Sequence, residues 1–298
     1  MKKRAVSVML TAAMVSAMLA GCGSKNAETQ SAADTTAESA ASGDETSADT
    51  QAADAETTDA ETTDASKTDG TFTVGFDQDF PPMGFVGDDG EFTGFDLEMA
   101  AEVATCLNLM IAYQPIAWDA KDMELDAGTI DCIWNGFTMN GREDDYEWSK
   151  PYMKNNQVFV VRGDSDINSE ADLAGKNVEV QTDSSAEAAL NDNSELTSTF
   201  GSLTPVADYN TAFMDLESGA VDAIAMDDVV ASYQITSRKA DFKVLDDVIA
   251  AEEYGIGFKK GNTGLRDKVQ ATLEEMAADG TAAKISEKWF GKDITTIQ

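Results

Sequence analysis

From residue 71 onward, apolar and polar positions fall into two rhythms. Phe72, Val74 and Phe76 recur at every second position, the period of a strand. Leu97 to Leu107 repeats at helical spacing, with Asp96 placed to cap it. Ile111 to Tyr113 reads as a second strand. Trp118-Asp119 opens a second helix that runs to about Ala127, and Gly128 ends it. Ile130, Cys132 and Ile133 begin a third strand. Strand, helix, strand, helix, strand is the pattern of a parallel α/β sheet. Between these elements, Asp77 to Phe85 reads as a loop because Pro81 and Pro82 cannot sit inside a sheet. Asp88-Asp89-Gly90 reads as a hairpin turn. Further on, Asn177–Val180 and Val221–Met226 are predicted strands, the latter ending at Asp227-Asp228. Ala186–Leu190, Tyr209–Gly219, Leu265–Met276 and Ala282–Phe290 are predicted helices. Ser232 to Ile249 reads as helix, turn and strand. Gln157–Val161 and Tyr254–Phe258 are apolar, strand-like runs.

The first 69 residues lack both rhythms. Lys2-Lys3-Arg4 precedes an apolar run, Ala5 to Ala20, that is too short and wrongly flanked for a stable membrane helix. Residues 1–22 therefore read as a targeting segment. Its end, Leu19-Ala20-Gly21-Cys22, resembles the lipobox of bacterial lipoproteins, which implies acylation of the Cys22 thiol and attachment to the membrane through that lipid. Residues 23–69 are almost entirely Ala, Thr, Ser, Asp and Glu, with no aromatic residue and no Val, Ile or Leu. Nothing in them offsets the entropy of ordering, so they read as a disordered acidic tether with a reach of roughly 40 Å.

Composition narrows the chemistry. The 298 residues carry 55 Asp+Glu against 21 Lys+Arg and no histidine. Nucleic-acid binding needs a basic footprint, and the chain has none. Without histidine there is no Ser-His-Asp or Cys-His nucleophile system and no histidine-containing metal site. Three cysteines cannot form a four-thiolate site. No metal and no cofactor is expected, and the acidic clusters read as solvated faces. Cys106 and Cys132 are expected as two free, buried thiols.

The stretch Asp131–Pro151 concentrates candidate binding groups. After the strand start it reads as a loop, Asn135-Gly136-Phe137-Thr138-Met139-Asn140-Gly141, followed by Arg142. Open α/β sheets place ligands beyond strand ends, and an arginine there offers a planar fork to a carboxylate. Read alone, Arg142 is better taken as a surface arginine balanced by the acids that follow it. Gln181-Thr182-Asp183-Ser184-Ser185 leads into a helix, where hydroxyls cap free N–H groups and an anion is favoured. Asp227 at a strand end suits an ammonium or a helix cap.

Taken in register, these segments resemble a family. Val74-Gly75-Phe76-Asp77, Phe80-Pro81-Pro82-Met83-Gly84-Phe85, Gly94-Phe95-Asp96-Leu97, Trp118-Asp119, Gly128-Thr129-Ile130-Asp131, Ser149-Lys150-Pro151-Tyr152, Leu173-Ala174-Gly175-Lys176, Val221-Asp222-Ala223 and Lys288-Trp289-Phe290-Gly291 stand in the order and spacing of the polar amino-acid-binding proteins of bacterial ABC importers. These are solute-binding proteins of family 3, similar in fold to the ligand cores of ionotropic glutamate receptors. The resemblance implies an α/β periplasmic-binding-protein type II fold, with two lobes joined by a two-strand hinge. Lobe 1 would be 70–158 plus 256–298, and lobe 2 would be 159–255. It implies a monomer that binds one free amino acid and delivers it to an ABC permease from the outer face of the cell membrane. Arg142 would grip the α-carboxylate. Thr138 and the backbone of Asn135 and Gly136 would share the carboxylate and ammonium contacts, and Ser184 and Ser185 would meet the carboxylate from the opposite lobe. Asp227 would take the ammonium, Phe80 would lie over the ligand, and Asp77 and Trp118 would shape the side-chain pocket.

Two departures matter. The connection from Thr138 to Arg142 is one residue shorter than is usual in the family, and Asp183 replaces a typical glycine. A carboxylate at 183 would oppose an anionic side chain, so a neutral or cationic amino acid is expected rather than glutamate or aspartate. The absence of histidine implies binding that is nearly flat from about pH 6 to 8. Other functions fit the same architecture. A cyclohexadienyl-dehydratase-like enzyme would need a general acid placed in the cleft. An amino-acid sensor would need a downstream membrane or signalling segment, and the sequence ends eight residues after Phe290 without one.

Overall fold

The computed structural model describes residues 70–298. The leader, Cys22 and the tether lie outside the described residues. The chain opens with β1 (Thr71–Phe76), whose Phe72, Val74 and Phe76 are all buried, as the alternation predicts. The Asp77–Phe85 loop contains two short strands, β2 (Asp79–Phe80) and β3 (Gly84–Val86). They join β4 (Phe92–Thr93) in a small antiparallel sheet, and the two prolines sit in the turn between β2 and β3. Next come α1 (Phe95–Cys106), β5 (Met110–Pro115), a 3-10 turn at Trp118–Ala120 and α2 (Lys121–Ala127). Gly128 ends α2 in the left-handed conformation, φ 72°.

β6 (Cys132–Thr138) runs further than expected. The sequence reads Asn135–Thr138 as loop, but these residues continue the strand, and all seven positions are buried. A strand covered on both faces need not alternate, and its polar residues here form the floor of a cavity. After β7 (Glu147–Trp148) come β8 (Met153–Arg162), β9 (Asn177–Gln181), α3 (Ser185–Asp192), the short α4 (Ser194–Thr197) and β10 (Ser202–Val206). The chain continues with α5 (Tyr209–Ser218), β11 (Ala223–Asp227), α6 (Asp228–Arg238), β12 (Phe242–Phe258), α7 (Thr263–Ala278) and α8 (Thr281–Phe290).

The large sheet has the order β10-β9-β11-β8-β12-β6-β1-β5, with β7 beside β12. Its outer parts are parallel: β5-β1-β6 on one side and β10-β9-β11 on the other. Its middle is antiparallel, because β8 and β12 pair with each other and each also pairs with a neighbour in the opposite half. Both apolar runs expected as strands lie in these two. Three apolar clusters support the sheet. One centres on Phe137, Tyr146 and Trp148, whose rings stand 4.8–5.0 Å apart.

Two expectations change. Asp96 does not cap α1; Gly94 holds that position, and Asp96 lies in the first turn, fully buried. Cys132 is a free, buried thiol as expected, but Cys106 is exposed at the open end of α1.

Candidate functional site

Strand ends from both halves of the sheet converge on one narrow cavity. Phe80, Trp118, Asn135, Gly136, Thr138 and Arg142 line it from the β1-β6 side. Ser184, Ser185 and Asp227 line it from the β9-β11 side. Nine of the ten expected ligand-binding residues thus share one wall system. The tenth, Asp77, is one contact away: Gln181 Nε2, also at the cavity, donates to Asp77 Oδ2 at 2.6 Å. Only about 10 Å³ of open space remains between the walls.

The floor is the end of β6. Gly136 adopts φ 59°, and its N–H donates to Asp96 Oδ2 at 2.6 Å. Tyr152 donates its hydroxyl to the same oxygen at 2.8 Å. Burial pushes the Asp96 carboxyl up to about 7, against the smaller lowering effect of these hydrogen bonds. Asp96 therefore fixes the backbone on which the cavity rests.

Arg142 reaches the cavity despite the shortened connection. Its N–H closes a turn onto Met139 O at 3.0 Å, and Trp148 Nε1 donates to Arg142 O at 2.9 Å. The guanidinium lies 5.3 Å from the Phe137 ring centre. Nη1 is 3.4 Å from Thr138 O and Nη2 is 3.2 Å from Asp183 O, across the gap between the two halves. Both bonds are long and lead to neutral acceptors, so the fork has no carboxylate of the protein in its grip.

On the far side, Ser184 caps α3 by accepting from Glu187 N at 3.1 Å. Ser185 Oγ accepts from Thr138 Oγ1 at 3.1 Å and from Gln157 Nε2 at 2.9 Å, which ties the two walls together. Asp183 stands at φ 58°, a conformation that glycine adopts more readily. Its carboxylate does not face the cavity floor; it pairs with Lys121, whose side chain is almost fully buried beside Trp118. The charge expected to repel an anionic ligand is thus already matched.

Asp227 is 3% exposed and surrounded by donors. Tyr254, Asn155 and Gln157 all direct a hydrogen to its Oδ1. Burial, and next the charge of Glu252, push its carboxyl well above the ordinary range. Burial also raises Asp77, to about 6. Sequence reasoning missed Gln181, Lys121, Asn155, Gln157 and Glu252. Of these, Glu252 carried a signal in strand alternation: Glu252 and Tyr254 share one face of β12, and both are buried. Among the described residues no acid or cysteine cluster could hold a metal ion. No described helix is long and apolar enough to cross a membrane.

Comparison with known proteins agrees with this geometry. The family model for bacterial extracellular solute-binding proteins, family 3, matches residues 72–292. The L-cystine-binding protein TcyJ of Escherichia coli (strain K12) is 33% identical over 228 residues, covering 76% of this chain and 84% of the relative. The L-cystine-binding protein TcyA of Bacillus subtilis (strain 168) is 31% identical over 227 residues, covering 75% and 82%. In structure, the chain is similar to a histidine-bound substrate-binding protein of an ABC uptake transporter from Streptococcus pneumoniae. That similarity has a TM-score of 0.74 and 34% identity, over 76% of this chain and 94% of the other. These relatives are named as binding proteins, not as enzymes.

Proposed function

This chain belongs to family 3 of the bacterial extracellular solute-binding proteins, which bind amino acids for ABC transporters, and we propose that it captures one free polar amino acid, neutral or cationic, between two lobes. The observation that carries the reading is the pairing of opposite chemistry around one cavity. Arg142 offers an uncommitted fork for the α-carboxylate, and Asp227 offers a buried acceptor for the amino group. Phe80 and Trp118 supply apolar walls.

The lobes in this reading are 70–158 with 256–298, and 159–255, hinged on β8 and β12. Contacts across the gap favour the closed form: Lys121 with Asp183, Gln181 with Asp77, and Asn210 Nδ2 with Asp79 Oδ1 at 2.8 Å. An amino acid that touches both lobes adds to these contacts and shifts the population toward closure, the form a permease would receive. The preference for a neutral or cationic side chain is supported by the chamber beside the cavity. It measures about 500 Å³ and is bordered by Asp77, Asp79, Asp119 and Asp208, with no lysine or arginine on its wall. L-Cystine, L-arginine and L-histidine, the ligands named for relatives, are the first candidates.

A thermal-shift screen against the twenty amino acids and L-cystine tests the function. A ligand at a hundred times its Kd should stabilise by about 2.7 kcal/mol. The strongest shift is expected from a neutral or cationic amino acid, and one confined to glutamate or aspartate would reverse the assignment of side-chain class. Lipid anchoring through Cys22, with 23–69 as the tether, completes the reading. It predicts that Cys22→Ala releases the protein from the membrane fraction; retention there would refute the anchor.

A further inference from the structure

We propose that Glu252 is a further residue of the amino-acid site: with Asp227 it forms a carboxyl pair that holds one proton, and capture of an amino group at Asp227 expels that proton. The inference rests on the reading that Asp227 receives the amino group. Asn155 Nδ2 lies 3.0 Å from Asp227 Oδ1 and 2.7 Å from Glu252 Oε1. Gln157 Nε2 lies 2.8 Å from each of the same two oxygens. Two carboxyl oxygens held by one pair of amide nitrogens are close neighbours, and the residues are only 3% and 5% exposed. Two such groups do not both ionise in a buried site unless a cation intervenes.

No ion pair with lysine or arginine reaches either carboxyl among the described residues. The titratable groups around them are mostly neutral or acidic. Tyr254 from β12 donates to Asp227, and Tyr209 from α5 and Asp77 from the loop after β1 act on the same cluster. Arg142 lies on the shared cavity wall. Behind the pair, Glu252 borders a groove of about 800 Å³ together with Lys154, Lys292, Asp228 and Glu253. Burial and mutual repulsion together raise Asp227, in agreement with a retained proton.

An arriving ammonium supplies the missing cation. The carboxyl O–H bond breaks, its electron pair stays on Asp227, and the new carboxylate accepts an ammonium N–H. The proton passes to water on the groove side of Glu252. One positive charge enters and one leaves, so the amide and tyrosine donors around the pair stay in place. The expectation of flat binding rested on missing histidines; this pair gives carboxyls the same role.

Isothermal titration with L-arginine and with L-cystine at pH 6 and pH 7, each in two buffers of different ionisation enthalpy, counts the protons. Release of up to one proton per bound amino acid is expected, and affinity should rise by up to about tenfold per pH unit. Glu252→Gln should lose most of the release and most of the pH slope, whatever its affinity at a single pH. The wild-type measurement needs no variant, so a misfolded Glu252→Gln would not decide the matter. Wild-type binding with equal heats in both buffers would overturn the proton pair while leaving the site intact. Unchanged binding by Asp227→Asn would instead overturn the assignment of the amino group to Asp227.

Discussion

Replacing Arg142 by alanine is expected to weaken amino-acid binding by about two to three orders of magnitude. The turn that carries Arg142 is held by its backbone, through Arg142 N to Met139 O and Trp148 Nε1 to Arg142 O. Alanine preserves both bonds. What disappears is the guanidinium, whose own contacts are two long hydrogen bonds to Thr138 O and Asp183 O and its approach to the Phe137 ring. Folding stability should therefore change little. Binding should change greatly, because a carboxylate enclosed without its partner costs about 2–5 kcal/mol. Every 1.4 kcal/mol is tenfold in Kd. Arg142→Lys should recover part of the loss, since a point charge lacks the fork. Titration with the strongest ligand of the thermal-shift screen checks this. Wild-type affinity in Arg142→Ala would move the carboxylate anchor to another residue.

The stability of the wild-type protein should fall by about 2–3 kcal/mol between pH 5 and pH 8 on account of Asp96 alone. Unfolded, its carboxyl ionises near the ordinary aspartate value of 3.8; folded, burial raises it to about 7. Between those values the folded state holds a proton that the unfolded state has released. Stability is therefore fully present at low pH and is lost as pH rises through 7. Asp77, raised to about 6, acts in the same direction. Asp96→Asn keeps an acceptor for Gly136 N–H and Tyr152 O–H but cannot ionise. Its melting temperature should depend less on pH than that of the wild type, by several degrees over this interval. Parallel curves for the two proteins would assign the pH response to the general acidity of the chain.

Much of the framework was legible in the sequence because its strands and helices obey their own periods. Phe72, Val74 and Phe76 announce β1, and Gly128 and Gly219 end helices in left-handed conformations. The resemblance supplied the site, since no local rule distinguishes Arg142 from a surface arginine. The errors share one cause. Asn135–Thr138 looked like a loop because a binding floor needs polar groups and close backbone, the same residue types that make loops. Lys121 carries no local sign of its place: its side chain crosses to Asp183 and is buried. Asp96 looked like a cap because the rule for caps concerns residue type, whereas its partners, Gly136 and Tyr152, are distant in sequence. Pairings between distant residues leave no local signature.

The antiparallel middle of the sheet also dictates an order of assembly. β6 is made early and Cys132 pairs at once with Val74 of β1, yet the other edge of β6 stays open: Thr138 finds its partner only when Tyr254 exists. α8, which packs on α1, comes later still, with Lys288 Nζ meeting Glu98 Oε2 at 2.6 Å. By contrast, β9, β10 and β11 are contiguous enough to pair soon after they emerge. As the chain emerges from its N-terminus, β6 must wait with an open strand edge until β12, more than a hundred residues later, has appeared. Folding of such long-range contacts is slow. An unpaired edge invites wrong partners, so the segment from β1 to β6 is where chaperoning of the emerging chain would matter most.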